Sequence, residues 1–400
     1  MVLGGVFLAL APVAVYARLG TAVLLIVTLA AQPSLKSAMA ALRSMSAGTL
    51  VRIGALLAAW AAVSLLWTPD PRVVDLLRVA VVPVIGLLLI AAINTLPAAE
   101  IFRLGRLGMI AGLVMLALLA LEVWSHGAVF RLIIPDPGPQ PPDAKSWIVE
   151  VAARGAAVLA PTIFVFAFLI YTHTPYAPKL RAAWAIAFVA VGLAVCHSST
   201  MDASWVAVAA GVLGFAVAMV APRLALVGVF GGLMVYALLA PVLSTYVLTL
   251  DGVTNLGDPE WVGTESRIGI WHEAARLIAL KPLFGHGFDS ARALSAQAST
   301  IPGTPWPALP LHPHNGFLQI WLELGGVGIA MTIALLAAAA RAWWPMTARP
   351  MHLAVSLATL TSTAVIALIS FGIWQYWWLA TWMFAAALLQ VALRADITRL

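Results

Sequence analysis

The run His312-Pro313-His314-Asn315 opens the segment HPHNGFLQIWLELGGVG, residues 312–328, and sets two imidazoles and an amide at the start of an apolar stretch. Imidazole is the side chain best suited to take a proton near neutral pH. His314 is therefore a candidate general base for a substrate met at the boundary of water and lipid. Asn315 suits a helix N-cap and Pro313 a helix entrance, so the same residues also fit a capped helix start with an interfacial histidine. His312 and His314 could share a metal, but no third ligand accompanies them. Glu323 lies nine residues past His314. On a straight helix the two face opposite ways, roughly 13.5 Å apart along the axis. A carboxyl at that depth is expected to meet a partner on another helix, and Gly325, Gly326 and Gly328 to let a neighbouring helix come close.

Three further groups could serve chemistry. Arg267, in ESRIGIW, offers a planar fork for phosphate, or is a solvated loop charge. Arg154, in VAARGAAVLAP, dips into an apolar run; it marks a functional site or snorkels to headgroups. KPLFGHGFDS, residues 281–290, reads as a tight turn, with His286 and Asp289 as candidate ligands of sugar hydroxyls. FGIWQYWWLATW, 371–382, reads as an interfacial aromatic belt that could also stack on a sugar or line a lipid entrance.

The elements that must hold these residues follow from composition. The 400-residue chain is 62% hydrophobic and 10% charged, with mean hydropathy +0.99. Soluble domains carry about 25% charged residues, so the chain reads as an all-α polytopic membrane protein. Its apolar runs are helical in length, unlike the roughly ten-residue alternating segments of a membrane barrel. The net charge of +6 comes from basic residues scattered at span ends, which is no nucleic-acid signal. The single cysteine, Cys196, excludes an internal disulfide and any Cys-based zinc cluster. The N-terminus has no basic n-region or clear cleavage site and reads as a retained first span.

About twelve spans are expected, near 3–17, 20–33, 50–67, 78–96, 106–124, 152–171, 182–197, 203–221, 225–248, 315–340, 351–371 and 374–393. With the N-terminus in the cytoplasm, Lys36, Arg43, Arg52, Arg103, Arg106, Lys179, Arg181, Arg223, Arg341, Arg349, Arg394 and Arg399 all fall inside, as the positive-inside rule asks. Both termini are then cytoplasmic. The division is 1–248 with nine spans, 249–314 as a large, partly helical outer loop, and 315–400 with three spans. A Pro-rich stretch within 125–150, IIPDPGPQPPDAKSW, is expected to be extended. Inverted repeats or broken helices would point to a transporter or a lipid-linked sugar flippase; neither is visible in the sequence.

Together these segments resemble the O-antigen ligase and polysaccharide polymerase superfamily, the Wzy C-terminal domain family. His314-Asn315, nine residues, Gly325, two residues and Gly328 match its His-Asn and Gly-x-x-Gly signature. Arg267, Trp271 and KPLFGHG look like its arginine, tryptophan and Pro-Leu-x-Gly-x-Gly pattern. The resemblance covers residues 150–395 and implies a glycosyltransferase of the GT-C type in the bacterial inner membrane, with its active site facing the periplasm. No cofactor or metal is implied. The donor would be a glycan on undecaprenyl diphosphate. The acceptor would be lipid A–core for a ligase, or a second lipid-linked repeat unit for a polymerase. Carried over, His314 is the general base, Arg267 and Arg154 hold the diphosphate, and Asn315 and His312 stand beside them in substrate binding. His286, Asp289 and Trp271 are candidate sugar contacts. One departure is visible. Where many members carry a Ser-Arg pair at the start of span eight, this chain has HSSTMDASWVAV, with Asp202 and no arginine.

Overall fold

The computed structural model describes residues 48–133, 147–199, 201–246, 262–295 and 308–397, with scattered positions before residue 48. Most of the expected spans 3–17 and 20–33, residues 134–146 of the Pro-rich stretch, and 249–261 and 296–307 of the large loop lie outside the described residues.

Among the described residues from 48 onwards, thirteen α-helices follow one another. They are α1 (Thr49–Ser64), α2 (Val73–Thr95), α3 (Ala98–Trp124), α4 (Ala128–Ile133), α5 (Trp147–His173), α6 (Pro178–Ser198) and α7 (Asp202–Val220). Then come α8 (Pro222–Tyr246), α9 (Val262–Leu280), α10 (Ser290–Ser295), α11 (Gly316–Trp343), α12 (Pro350–Ile369) and α13 (Tyr376–Ile397). Nine of these are long and apolar enough to cross a membrane, and α1, at 16 residues, is a shorter apolar helix. Nine of the expected spans correspond to those nine helices and a tenth to α1. Among the described residues there is no strand.

α5 is the centre of the bundle. Its run AAVLAPTIFVFAFLIY is apolar on every face, the pattern of a helix surrounded by protein. Of its most apolar 18 residues 94% are buried, against 22% for α6 and α8, which keep most of their apolar surface outward. Lipid tails are as apolar as leucine, so the helices are held by close packing. α7 meets α12 through small residues. A Cβ at Gly211 would stand 3.0 Å from the Ala358 carbonyl oxygen.

The sequence reads α11 as one continuous span, but it is broken. Gly325 has φ 66 and ψ −166, a conformation that only glycine adopts without strain. A break inside an apolar environment frees backbone groups that lipid cannot satisfy. Here the freed groups find partners. Leu322 and Glu323 carbonyls accept from the N–H groups of His286 and Gly287 (2.8 and 2.9 Å), and the Leu324 carbonyl accepts from Trp60 Nε1 (3.0 Å). The N–H groups of Gly326 and Val327 donate to Pro282 and Leu283 (2.8 and 3.2 Å). The glycines therefore admit the loop 282–287, where a helix was expected. The match is close: a Cβ at Gly285, itself at φ 69, would stand 2.5 Å from the Glu323 carbonyl carbon. Ser64 and Thr68, at the end of α1, hold the far side of the same loop by hydrogen bonds to Phe288 (2.9 and 3.0 Å).

Candidate active site

Phe288 and Asp289, which follow the loop directly, line a cavity of about 610 Å3 at the end of the bundle where α11 and α13 begin and α12 ends. The cavity is lined by Arg72, Arg154, Arg292, His312, His314, Gln319 and the aromatic turn 371–377, with Asp75 and Asp289 among them. His314 and Arg154, far apart in sequence, thus share one space. Arg267 does not line it.

His314 precedes α11 in a left-handed conformation, φ 54, which is uncommon outside glycine and often marks a functional constraint. Asn315 behaves as its type predicts. It is buried, caps α11 by accepting from the N–H groups of Phe317 and Leu318 (both 3.1 Å), and donates to the Tyr236 hydroxyl at 2.6 Å. Trp271 fixes the same corner by donating from Nε1 to the Pro313 carbonyl, 2.9 Å.

The tautomer of His314 follows from its partner. Nδ1 lies 2.5 Å from the Ser370 carbonyl oxygen. A carbonyl only accepts, so Nδ1 carries the proton and the lone pair of the neutral ring is on Nε2. His312 differs. Its Nδ1 accepts from the backbone N–H of His314 at 3.2 Å, which occupies its lone pair. The two rings stand 4.2 Å apart.

Electrostatics favour the neutral forms. Burial pulls the pKa of His314 below the ordinary histidine value; the Ser370 hydrogen bond opposes this and the charge of Arg267 reinforces it. Burial, with the charges of His314 and Arg292, takes His312 down to about 3. Burial also lowers Arg267, and the charge of Asp202 opposes that. Arg267 therefore lies within electrostatic reach of both His314 and Asp202. Where the resemblance leads one to look for Ser-Arg, an acid instead offsets the loop arginine.

The remaining expected residues divide. Asp289, in a left-handed conformation (φ 57), lines the cavity and pairs with Arg292 at 3.2 Å; burial raises its pKa and Arg292 opposes the rise. His286 is buried behind the loop, with Nε2 2.9 Å from the Leu277 carbonyl, and does not line the cavity. Sequence reasoning missed Arg72, Arg292, Gln319 and Gln375. Arg72, in TPDPRVVD, and Arg292, one turn past the glycine loop, have the ordinary look of span-end charges. The signal that could have found Gln319 is its place on the same helical face as Glu323, four residues on. Among the described residues no three His, Cys, Asp or Glu side chains form a metal-binding group.

Fold and site define a polytopic helical membrane protein with a half-buried histidine, in a cavity also lined by arginines, at one end of its bundle. Residues 186–333, which include α7, α8, the described part of the large loop and the first part of α11, match the O-antigen ligase family model. The resemblance drawn from the motifs is matched by this family model, which covers residues 186–333 of the 400 and is named for the Wzy C-terminus. It is also similar to Rickettsia proteins named as candidate polysaccharide ligases. With one from Rickettsia bellii it is 29% identical over 61% of this chain and 59% of the relative. With one from Rickettsia felis it is 34% identical over 33% of each. With one from Rickettsia typhi it is 25% identical over 86% of this chain and 80% of the relative. The chain thus spans less than two thirds of the first two.

Proposed function

We propose that this protein is an O-antigen-ligase-like glycosyltransferase that moves a glycan from a polyprenyl diphosphate, such as undecaprenyl diphosphate, to an acceptor hydroxyl. The observation that carries the reading is the 2.5 Å approach of His314 Nδ1 to the Ser370 carbonyl, which assigns the ring proton to Nδ1 and leaves the Nε2 lone pair available in a cavity also lined by arginines. The acceptor hydroxyl gives its proton to Nε2 as its oxygen attacks the anomeric carbon. The bond from that carbon to the diphosphate breaks on the opposite face, which inverts the centre. Charge develops on the leaving diphosphate, where fixed cations are worth most. Arg154, with Arg72 and Arg292, would meet it in the cavity, and Arg267 would act from behind His314. The leaving group is already a good one, so no step is assigned to a metal. The site is read as periplasmic. The described basic residues assigned to the cytoplasm, from Arg52 to Arg394, belong to the opposite helix ends.

The acceptor on the first reading is lipid A–core. A second reading, a polymerase that joins lipid-linked repeat units, is favoured by Asp202 standing in place of the Ser-Arg pair. The test is a reconstituted transfer assay with wild type and His314→Ala, each offered lipid-linked glycan with lipid A–core or with a second repeat unit. Loss of transfer in the variant at normal abundance is expected, and the productive acceptor separates ligase from polymerase. Full transfer by His314→Ala would remove it as the base.

A further inference from the structure

Glu323 is completely buried, and its carboxyl collects three donors from three parts of the chain. Oε2 accepts from the Asp289 backbone N–H at 2.9 Å and from Trp374 Nε1 at 2.5 Å; Oε1 accepts from Gln319 Nε2 at 3.0 Å. Gln319 is itself fixed in direction, because its Oε1 accepts from the Ile373 N–H at 2.9 Å. Two of these links end on Ile373 and Trp374. Ser370, whose carbonyl orients His314, lies three residues before Ile373 in the same turn. On the straight-helix reading Glu323 cannot reach His314. Through the turn 370–375 it has a path.

We infer that Glu323 is the positioning residue for His314: with Gln319 it holds the turn 370–375 so that the Ser370 carbonyl keeps the His314 proton on Nδ1 and leaves Nε2 free as the base. Every contact of the carboxyl is a donor, so both oxygens are needed as acceptors. A glutamine at 323 supplies one acceptor and one donor. Its amide nitrogen then faces Gln319 Nε2, and Gln319 cannot turn over without presenting a donor to the Ile373 N–H. The mismatch has no local repair. It loosens the turn, and with it the carbonyl that decides the tautomer. This rests on the reading of His314 as the base, but the tautomer itself can be measured without turnover.

The experiment is nitrogen NMR of the full-length protein, labelled at the histidine rings and held in lipid nanodiscs, with His314→Ala identifying the His314 signals. Wild type should show the pattern of a neutral ring protonated at Nδ1. Glu323→Gln should populate the Nε2-protonated form, and in the transfer assay kcat should fall about tenfold to a hundredfold with KM little changed, as for a misplaced reacting group. Trp374→Phe removes one donor and keeps the ring, so it tests the same path if Glu323→Gln fails to fold; it should shift the tautomer in the same direction, by less. Unchanged His314 signals in the folded variants would overturn the inference. If the tautomer shifts as expected while His314→Ala retains full transfer, the positioning stands and the reading of His314 as the base falls.

Discussion

Two corners of the molecule are built from the same parts and do different things. At the end of α3, Glu122 is 1% exposed and accepts through Oε1 from the Tyr16 hydroxyl at 2.5 Å and the Phe130 N–H at 2.9 Å. Beside it stands His126 in a left-handed conformation, φ 54. In α11, Glu323 is 0% exposed, with donors converging on it, and His314 also has φ 54. Neither a buried acid nor a strained histidine, then, marks a site by itself. The difference lies in what the acid ties together. Glu122 fastens α4, a short surface helix, through one oxygen, and His126 is exposed. Glu323 commits both oxygens and joins α11, the backbone at Asp289 and the aromatic turn, all beside the half-buried His314.

That contrast can be broken or sharpened. The largest expected effect is His314→Ala, which should lower glycan transfer by about a hundredfold to ten-thousandfold, the usual worth of a general base. His126→Ala should stay within about twofold of wild type, as a surface substitution does. Equal losses in the two variants, measured in one transfer assay, would erase the distinction between the corners.

The next comparison is between the two carboxylates. Glu122→Gln keeps the single oxygen its partners use and should leave kcat unchanged. Glu323→Gln has no such freedom and should show the loss of kcat given above. A matching pair of kcat values would mean that the number of committed oxygens is irrelevant.

Gly325→Ala comes third. A residue other than glycine held at this positive φ and extended ψ costs about 1–3 kcal/mol, and the added Cβ would also collide with the Leu283 carbonyl. The thermal midpoint in detergent should fall, and Gly228→Ala, with open space around its Cβ position, should leave it in place.

The smallest effect concerns pH. The base is the neutral imidazole, so kcat/KM should rise with pH through a lowered histidine pKa and then level off. Arg267 contributes to that lowering. Removing its charge in Arg267→Gln raises the pKa, so the acid limb of the profile should move to higher pH. A limb that moves to lower pH, or not at all, would detach Arg267 from His314.

Hydropathy made the described spans legible, because a bilayer asks for little beyond length and apolarity. It also read straight through the break at Gly325, since a broken span has the same composition as a whole one. His314 and Arg154 could be singled out because polar groups are rare beside such apolar runs. Their meeting in one cavity could not be read, for it depends on how α5 packs against the other helices. The loop 282–287 and the break at 322–327 were each visible as glycine motifs. That they are one structure rests on backbone hydrogen bonds, which carry no side-chain signature. Arg72 and Arg292 were overlooked because nothing in their neighbours distinguishes a cation facing a cavity from one facing water.

The break in α11 also has a mechanical side. A rigid rod through the bilayer would carry any change in its tilt to both ends. Cut at Gly325 and clamped there to the loop 282–287, this rod becomes two levers joined at a pinned bearing. The segment from Gly316 to Leu324 is anchored to the loop and the turn, while the longer segment from Gly326 to Trp343 is left to follow the membrane. The distance between His314 and the Ser370 carbonyl should therefore hold steady across bilayers of different thickness. Spin-label distances from residue 340 should change while distances from residue 318 do not.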